Sequence, residues 1–191
     1  PIGTHWQNGV ASDEVLDAMT ETIIAVERDE NIRIRLIPDI VRDVGKETAD
    51  PTLDWALSGQ KKGVVVGLGL TGREALYPSE PFADHFAAAA AAGLHCVAHA
   101  GEHAGPQAVH SALDSCRAER IGHGVHSIED AGLMDRLRRD RVPLEVCPTS
   151  NICLGLAPDV AHHPFDELRR AGLEVGLQIV EELDAGIPDG Q

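Results

Sequence analysis

Six short apolar segments recur along the chain, and helix-forming sequence separates each one from the next. They begin near residues 32, 64, 94, 119, 143 and 173, at intervals of 24 to 32 residues. Regular strand–helix alternation predicts parallel strands joined by right-handed crossovers, and therefore an α/β protein. The predicted strands end near Ile37, Leu70, Ala98, Gly122, Cys147 and Leu177.

The position of the polar residues distinguishes two arrangements of such strands. Polar residues follow several different strands, which favours a (β/α) barrel, because barrel chemistry gathers at the carboxyl ends of the strands. A doubly wound open sheet is the alternative. Its glycine fingerprint would open a helix, whereas the glycines at 67, 69 and 72 run through a strand end into a loop.

The number of strand–helix units predicts an incomplete barrel. About six units are present, whereas a closed barrel of the triosephosphate isomerase (TIM) type has eight and typically takes about 250 residues. We therefore expect residues 1–191 to form a single domain, a partial (β/α)8 barrel that is incomplete at both ends.

Composition limits the partners that the chain is expected to bind. The formal net charge of −15 disfavours nucleic acid and anionic membranes, and is compatible with a small uncharged or cationic substrate. Two Trp, one Tyr and three Phe provide no stacking platform for single-stranded nucleic acid. No apolar run is long enough to span a membrane, and no export leader is recognisable.

The cysteines favour a reducing compartment. Four are present without a Cys-x-x-Cys pair, so neither a zinc knuckle nor a redox motif is indicated. Cys96 and Cys147 fall inside apolar strand patterns, where buried, reduced thiols are expected. A cytoplasmic location is the expectation that follows.

The richest chemistry lies at the end of the segment that begins near residue 94. His99 is placed at the strand end, Ala100 and Gly101 turn the chain, and Glu102 follows. A neutral imidazole at this point suits a divalent metal, and a nearby carboxyl group suits proton transfer. An ordinary strand-to-helix corner with two solvent-facing polar residues is the alternative.

Two later segments repeat this design. Arg120-Ile121-Gly122-His123-Gly124 is a short strand that ends in a histidine between two glycines. A third strand runs into the polar loop Cys147-Pro148-Thr149-Ser150-Asn151. Together with His99-Ala100-Gly101-Glu102, these motifs resemble the adenosine deaminase family in order and spacing, and the resemblance extends over essentially residues 1–177.

The resemblance implies a zinc-dependent purine deaminase that converts adenosine, or a related adenine nucleoside, to inosine and ammonia with a zinc-activated water. It implies that His99 is a zinc ligand and that Glu102 protonates the purine ring nitrogen. It also implies that His123 lies beside the zinc-bound water, and that the backbone of Gly72 approaches the purine ring.

The chain departs from the family pattern at several positions. The family usually carries an acidic residue where Gly69 stands, and Asp or Asn where Arg73 stands. A His-x-His pair would precede Pro1, and an Asp-Asp pair would follow Leu177, where Glu181-Glu182 is a poor substitute. His99 is thus one recognisable zinc ligand of four.

These departures leave a second hypothesis open, namely a non-catalytic barrel remnant that lacks most metal ligands. The chain by itself is expected to hold zinc poorly, to deaminate adenosine negligibly, and to self-associate through its open sheet edges. His103, His110 and His126 are expected to lie outside the metal site.

Overall fold

The computed structural model describes residues 8–177, which form one six-stranded sheet with helices. Every strand pairs in parallel with the strand that follows it in the chain. The strands are β1 (Asp39–Val41), β2 (Gly67–Thr71), β3 (His95–Ala100), β4 (Arg120–His123), β5 (Leu144–Val146) and β6 (Val175–Leu177). The predicted α/β class and six parallel strands are confirmed.

The helices lie before β1 and in the connections between strands. They are α1 (Ser12–Glu30), α2 (Lys46–Lys61), α3 (Ala83–Ala91), α4 (Pro106–Ser115), α5 (Ala131–Asp140), α6 (Pro148–Cys153) and α7 (Phe165–Arg170). Short 3-10 turns supplement them at Arg42–Val44, Glu80–Phe82, Val125–Glu129 and Val160–His162. Among residues 8–177, none of the helices combines the length and the apolar character needed to cross a membrane.

The order of the strands separates the two predicted arrangements. In a doubly wound sheet the strand order reverses at a switch point, whereas here β1 to β6 follow one another without reversal. Right-handed crossovers in a single direction place the helices on one side of the sheet, which is how a (β/α) barrel is built. The sheet is therefore a consecutive part of such a barrel.

The sheet is buried on both faces at its centre. Leu68 and Gly69 point to opposite faces of β2 and both are buried, and Ile121 of β4 has no exposed surface. On the helix side, α3 covers the sheet with Phe86 and Ala89, which are also fully buried. Burial of each large apolar side chain stabilises the fold by about 1.5–3 kcal/mol, and it holds the strand ends in place.

The prediction for the first strand was wrong. The alternating segment at 32–37 forms a single bridge at Leu36, and the strand lies beyond Pro38, at Asp39–Val41. Pro38 cannot donate to the ladder, but its carbonyl oxygen accepts the Gly69 N–H at 2.8 Å, so pairing continues past the proline. The other predicted strand ends agree with the structure within two residues.

Candidate active site

Two histidines meet at the carboxyl edge of the sheet. His99 of β3 lies beside Gly122 of β4, and Ala100 lies beside His123. The two imidazole rings are 5.2 Å apart, centroid to centroid, and meet edge to face. A Cβ atom at Gly122 would overlap the His99 ring, so a side chain there would displace the imidazole. The prediction that His99 and His123 share one rim is confirmed.

His123 adopts a backbone conformation that is rare for a residue with a side chain. Its φ angle is 64°, and that of Gly124 is 68°. The Gly124 N–H donates to the Ala100 carbonyl at 3.0 Å, which ties this turn to β3. Strain of this kind costs on the order of 1–3 kcal/mol and is concentrated at functional sites.

Glu102 lies between His123 and His103. Its Oε1 is 3.3 Å from His123 Nε2, and its Oε2 is 3.3 Å from His103 Nδ1. The Glu102 side chain is 16% exposed, so it is sheltered but reachable from the cleft. His99, Glu102 and His123 are thus gathered at adjacent strand ends, although they come from two separate motifs.

His123 is electrically neutral at physiological pH. Burial lowers its pKa to about 4, and the neighbouring His99 adds to this effect because two nearby imidazolium charges would repel each other. The ring therefore has one protonated nitrogen and one nitrogen with a free lone pair.

A buried carboxylate holds the loop that carries Glu102. Glu74 Oε1 accepts the backbone N–H groups of Glu102, His103 and Ala104 at 2.6, 2.6 and 3.0 Å, and Oε2 accepts that of Gly101 at 2.8 Å. Glu74 is only 6% exposed. Glu74 was not among the predicted site residues; its place two residues after Gly72, at a predicted strand end, was the available signal.

Arg42 is a second buried charge beneath the same rim. Its guanidinium donates to the His99 carbonyl at 2.5 Å, and to the Tyr77 carbonyl and the Ser79 hydroxyl at 3.0 and 3.2 Å. Burial lowers the Arg42 pKa, and the negative charge of Glu74 opposes that change. Arg42 was not among the predicted site residues, because the first strand was predicted to end near Ile37 and instead ends at Val41, directly before it.

Asp39 provides a structural reason for the glycine at position 69, where the family usually carries an acidic residue. Asp39 and Gly69 are register partners on β1 and β2, and a Cβ atom at Gly69 would collide with the Asp39 carboxylate. A carboxylate from β1 thus occupies the space beside position 69. Burial raises the Asp39 pKa, and the nearby His99 opposes this rise.

Gly72 occupies a position that a larger residue would not fit. Its φ angle is 104°, and a Cβ atom there would collide with the Asp43 carboxylate. The Asp43 side chain accepts the Arg73 backbone N–H at 2.9 Å and forms an ion pair with the Arg73 guanidinium. Arg73 is therefore engaged with Asp43, and contact between Gly72 and a purine stays a prediction.

The described residues supply fewer ligands than a catalytic metal site needs. Across residues 8–177 there is no group of three or more His, Cys, Asp or Glu side chains arranged to hold a metal ion. A catalytic zinc site needs about three protein ligands, and His99 would be one of them. Glu181 and Glu182 lie outside the described residues.

The other nearby histidines have partners away from His99. His110 Nε2 lies 3.4 Å from Asp130, and His126 Nδ1 lies 2.7 Å from Glu129. His103 contacts Glu102, which brings it to the edge of the cleft.

The fold and this edge define the class of the molecule: a partial (β/α) barrel whose polar cluster lies where barrel enzymes place their active sites. The chain belongs to the adenosine deaminase family, whose family model matches residues 3–181.

Curated relatives carry several deaminase names. The chain is 41% identical over 174 residues to an adenine deaminase from Cupriavidus taiwanensis, covering 91% of this chain and 49% of that protein. It is 34% identical over 187 residues to an adenosine deaminase from Edwardsiella ictaluri, covering 98% and 56% respectively. An aminodeoxyfutalosine deaminase from Streptomyces coelicolor is 39% identical, covering 90% and 44%. The chain thus spans about half the length of the relatives it matches.

Solved structures agree with the barrel assignment. The adenine deaminase from Arthrobacter aurescens superposes with a TM-score of 0.84 at 33% identity, covering 91% of this chain and 53% of that one. An amidohydrolase from Burkholderia ambifaria, solved with bound zinc, has a TM-score of 0.84 at 28% identity and covers 93% and 50%.

Proposed function

We propose that the protein hydrolytically deaminates adenosine or a related adenine derivative. The observation that carries this proposal is the contact between Glu102 and His123, whose oxygen and nitrogen atoms lie 3.3 Å apart beside His99. In the reaction, water adds to the ring carbon that bears the amino group, the carbon–nitrogen bond breaks, and ammonia leaves.

Glu102 is the residue that would deliver a proton to the purine ring nitrogen. Protonation there makes the adjacent amino-bearing carbon more electrophilic, and a carboxyl group within hydrogen-bond reach is suited to this transfer. The amide cluster around Glu74 fixes the backbone of Glu102, so its carboxyl group has a defined starting point. Orientation of this kind contributes strongly to the rate because the reacting atoms need no further search.

His123 would orient the attacking water and stabilise charge as ammonia leaves. Its ring is buried and neutral, so it acts through hydrogen bonds and not through a positive charge. Gly72 would allow the backbone to approach the substrate ring. Zinc, when bound, supplies Lewis-acid activation of water at neutral pH, and His99 would be one of its ligands.

A non-catalytic barrel is the second proposal. Residues 8–177 supply His99 but no group of three metal-ligating side chains. On this second proposal, the barrel edge would be retained without turnover.

An assay of ammonia release from the full-length protein distinguishes deamination from the non-catalytic role. Adenosine, adenine and aminodeoxyfutalosine would each be tested, with zinc present and after removal of metal by a chelator. We expect zinc-dependent ammonia release from at least one of the three. No release from any of them, with zinc supplied and the protein folded, would favour the non-catalytic role.

A matched pair of histidine variants tests the metal assignment. His99 and His95 belong to the same strand, but His95 lies at its opposite end, exposed and paired with Glu119. His99→Ala should lower zinc affinity and turnover by more than the roughly 10- to 100-fold that loss of a group supporting a ligand costs, because a ligand itself is lost from a site of about three. His95→Ala should retain both, and equal zinc content in the two variants would contradict the assignment.

A further inference from the structure

We propose that Asn151 and His163 are positioning residues that keep the His123 proton on Nε2. Three buried side chains form a continuous hydrogen-bonded relay from a backbone amide to the edge of the cleft. Asn151, His123 and His163 are 0%, 5% and 6% exposed. The importance of this relay for turnover rests on the proposed function, whereas the position of the proton does not.

The relay begins at a group whose role is unambiguous. The backbone N–H of Phe165 donates to His163 Nδ1 at 3.1 Å. A backbone N–H cannot accept a hydrogen bond, so His163 Nδ1 must offer its lone pair. Burial also lowers the pKa of His163, which favours a neutral ring. The remaining nitrogen, Nε2, therefore carries the proton.

Asn151 transmits this constraint to His123. His163 Nε2 lies 3.0 Å from Asn151 Oδ1, and since Nε2 is the donor, Oδ1 is the acceptor. The other end of the amide, Nδ2, is a donor and lies 3.2 Å from His123 Nδ1. His123 Nδ1 must then accept, which leaves the proton of the neutral ring on Nε2.

The backbone of Asn151 is itself fixed. Its N–H donates to the Cys147 carbonyl at 2.9 Å, and its carbonyl accepts the Leu156 N–H at 2.8 Å. The amide is fully buried, so rotating it by 180° would set its Nδ2 donor against the Nε2 donor of His163. Mismatched buried groups of this kind cost about 1–3 kcal/mol each, and the relay therefore has one preferred direction.

The relay determines which group His123 presents to the cleft. His123 Nε2, the atom 3.3 Å from Glu102 Oε1, presents an N–H donor and not a lone pair. His123 in this form donates a hydrogen bond to a water, a substrate oxygen or Glu102. It cannot take a proton through Nε2 while the relay is intact.

The first test places the proton directly. Nitrogen NMR of histidine-labelled full chain, recorded at pH 7.5, distinguishes a protonated ring nitrogen from one with a lone pair. We expect His123 to carry its proton on Nε2. Asn151→Asp replaces the donor with an acceptor of the same shape, so it should move the proton to Nδ1. His162→Gln, at the exposed neighbour of His163, should leave the His123 signals unchanged.

A matched pair at position 163 tests the transmission. Gln places its terminal nitrogen near the position of a histidine Nε2, so His163→Gln should keep the donor to Asn151 and the parent tautomer of His123. Asn places its polar atoms near the position of Nδ1, so His163→Asn keeps an acceptor for Phe165 but loses that donor. Its His123 signals should show a mixture of tautomers.

Turnover then connects the relay to function. In the full-length protein, Asn151→Asp should lower kcat roughly 10- to 100-fold, the usual effect of removing a group that orients a site residue. KM should change far less, and His163→Gln should recover most of the parent kcat. A parent His123 with its proton on Nδ1, an Asn151→Asp variant with the parent tautomer, or one with the parent kcat would each overturn the proposal. The expected tautomers without ammonia release from any substrate would instead overturn the proposed function.

Discussion

Glu74 accepts the backbone N–H of Glu102 at 2.6 Å, so a buried carboxylate positions the residue whose own carboxylate faces the cleft. Three further amides of the same loop converge on Glu74. The loop after β3 has no regular structure of its own, and these hydrogen bonds replace the ladder that a strand would supply. The position of the Glu102 side chain therefore depends on a residue 28 positions earlier in the chain.

Replacing Glu74 with Gln should destabilise the protein by about 3 kcal/mol, because an amide nitrogen would face buried N–H donors and leave some of them unsatisfied. Urea unfolding of the two proteins measures the difference. Glu80→Gln is the matched control, since Glu80 is an exposed carboxylate nearby that accepts from the Ser111 hydroxyl. Equal losses in the two variants would show that the amide cluster contributes little.

Asp39 and Gly69 should be energetically coupled. Gly69→Ala alone is expected to cost about 1–3 kcal/mol, the usual range for overpacking, because the new Cβ atom meets the Asp39 carboxylate. In an Asp39→Ala background that collision is absent, and the cost of Gly69→Ala should fall by at least about half. A double-mutant cycle of unfolding free energies measures the coupling. Additivity within about 0.5 kcal/mol would contradict the shared space.

Glu102→Gln preserves the shape of the side chain but removes the transferable proton. Turnover should fall by roughly 10²- to 10⁴-fold, the usual share of general acid catalysis, while substrate affinity changes far less. Glu119→Gln is a suitable control, because Glu119 is an exposed carboxylate paired with His95. Steady-state ammonia release on the best substrate checks this, and parental turnover by Glu102→Gln would refute the acid assignment.

Alkaline pH should destabilise the protein through two buried thiols. Burial raises the pKa of Cys96 to about 11 and that of Cys116 to about 12, from an ordinary value of 9.0. The native state therefore binds these protons more tightly than the unfolded state does. Stability is intact below pH 9 and is lost as the pH rises from 9 towards 12, by about 1 kcal/mol for each thiol at pH 10.

The measurement compares urea unfolding at pH 8 and pH 10. A Cys96→Ala, Cys116→Ala double variant should lose less stability between the two pH values than the parent. Cys153→Ala is the control, because Cys153 is an exposed cysteine. An identical loss in the parent and the double variant would show that other groups cause the alkaline effect.

The larger plan of the fold was predictable from the chain alone. Strand–helix alternation is a local pattern, and parallel pairing follows from it because each helix returns the chain to the edge of the sheet where the previous strand began. His99 and His123 could be assigned to one rim for the same reason, since residues at the ends of parallel strands share an edge. The first strand was misplaced because Pro38 normally ends a strand, whereas here its carbonyl oxygen still pairs with Gly69.

The tertiary structure decided which polar residues surround the predicted ones. Glu74, Arg42, Asn151 and His163 act on the site from sequence distances that no local pattern covers. Each has polar atoms that burial forces to find partners, and those partners exist only after the strands are assembled. The sequence by itself therefore determined the order of the strands and predicted which histidines share the rim. Only the packed sheet determined the direction of their hydrogen bonds, because an imidazole or amide has no preferred donor direction until its neighbours are in place.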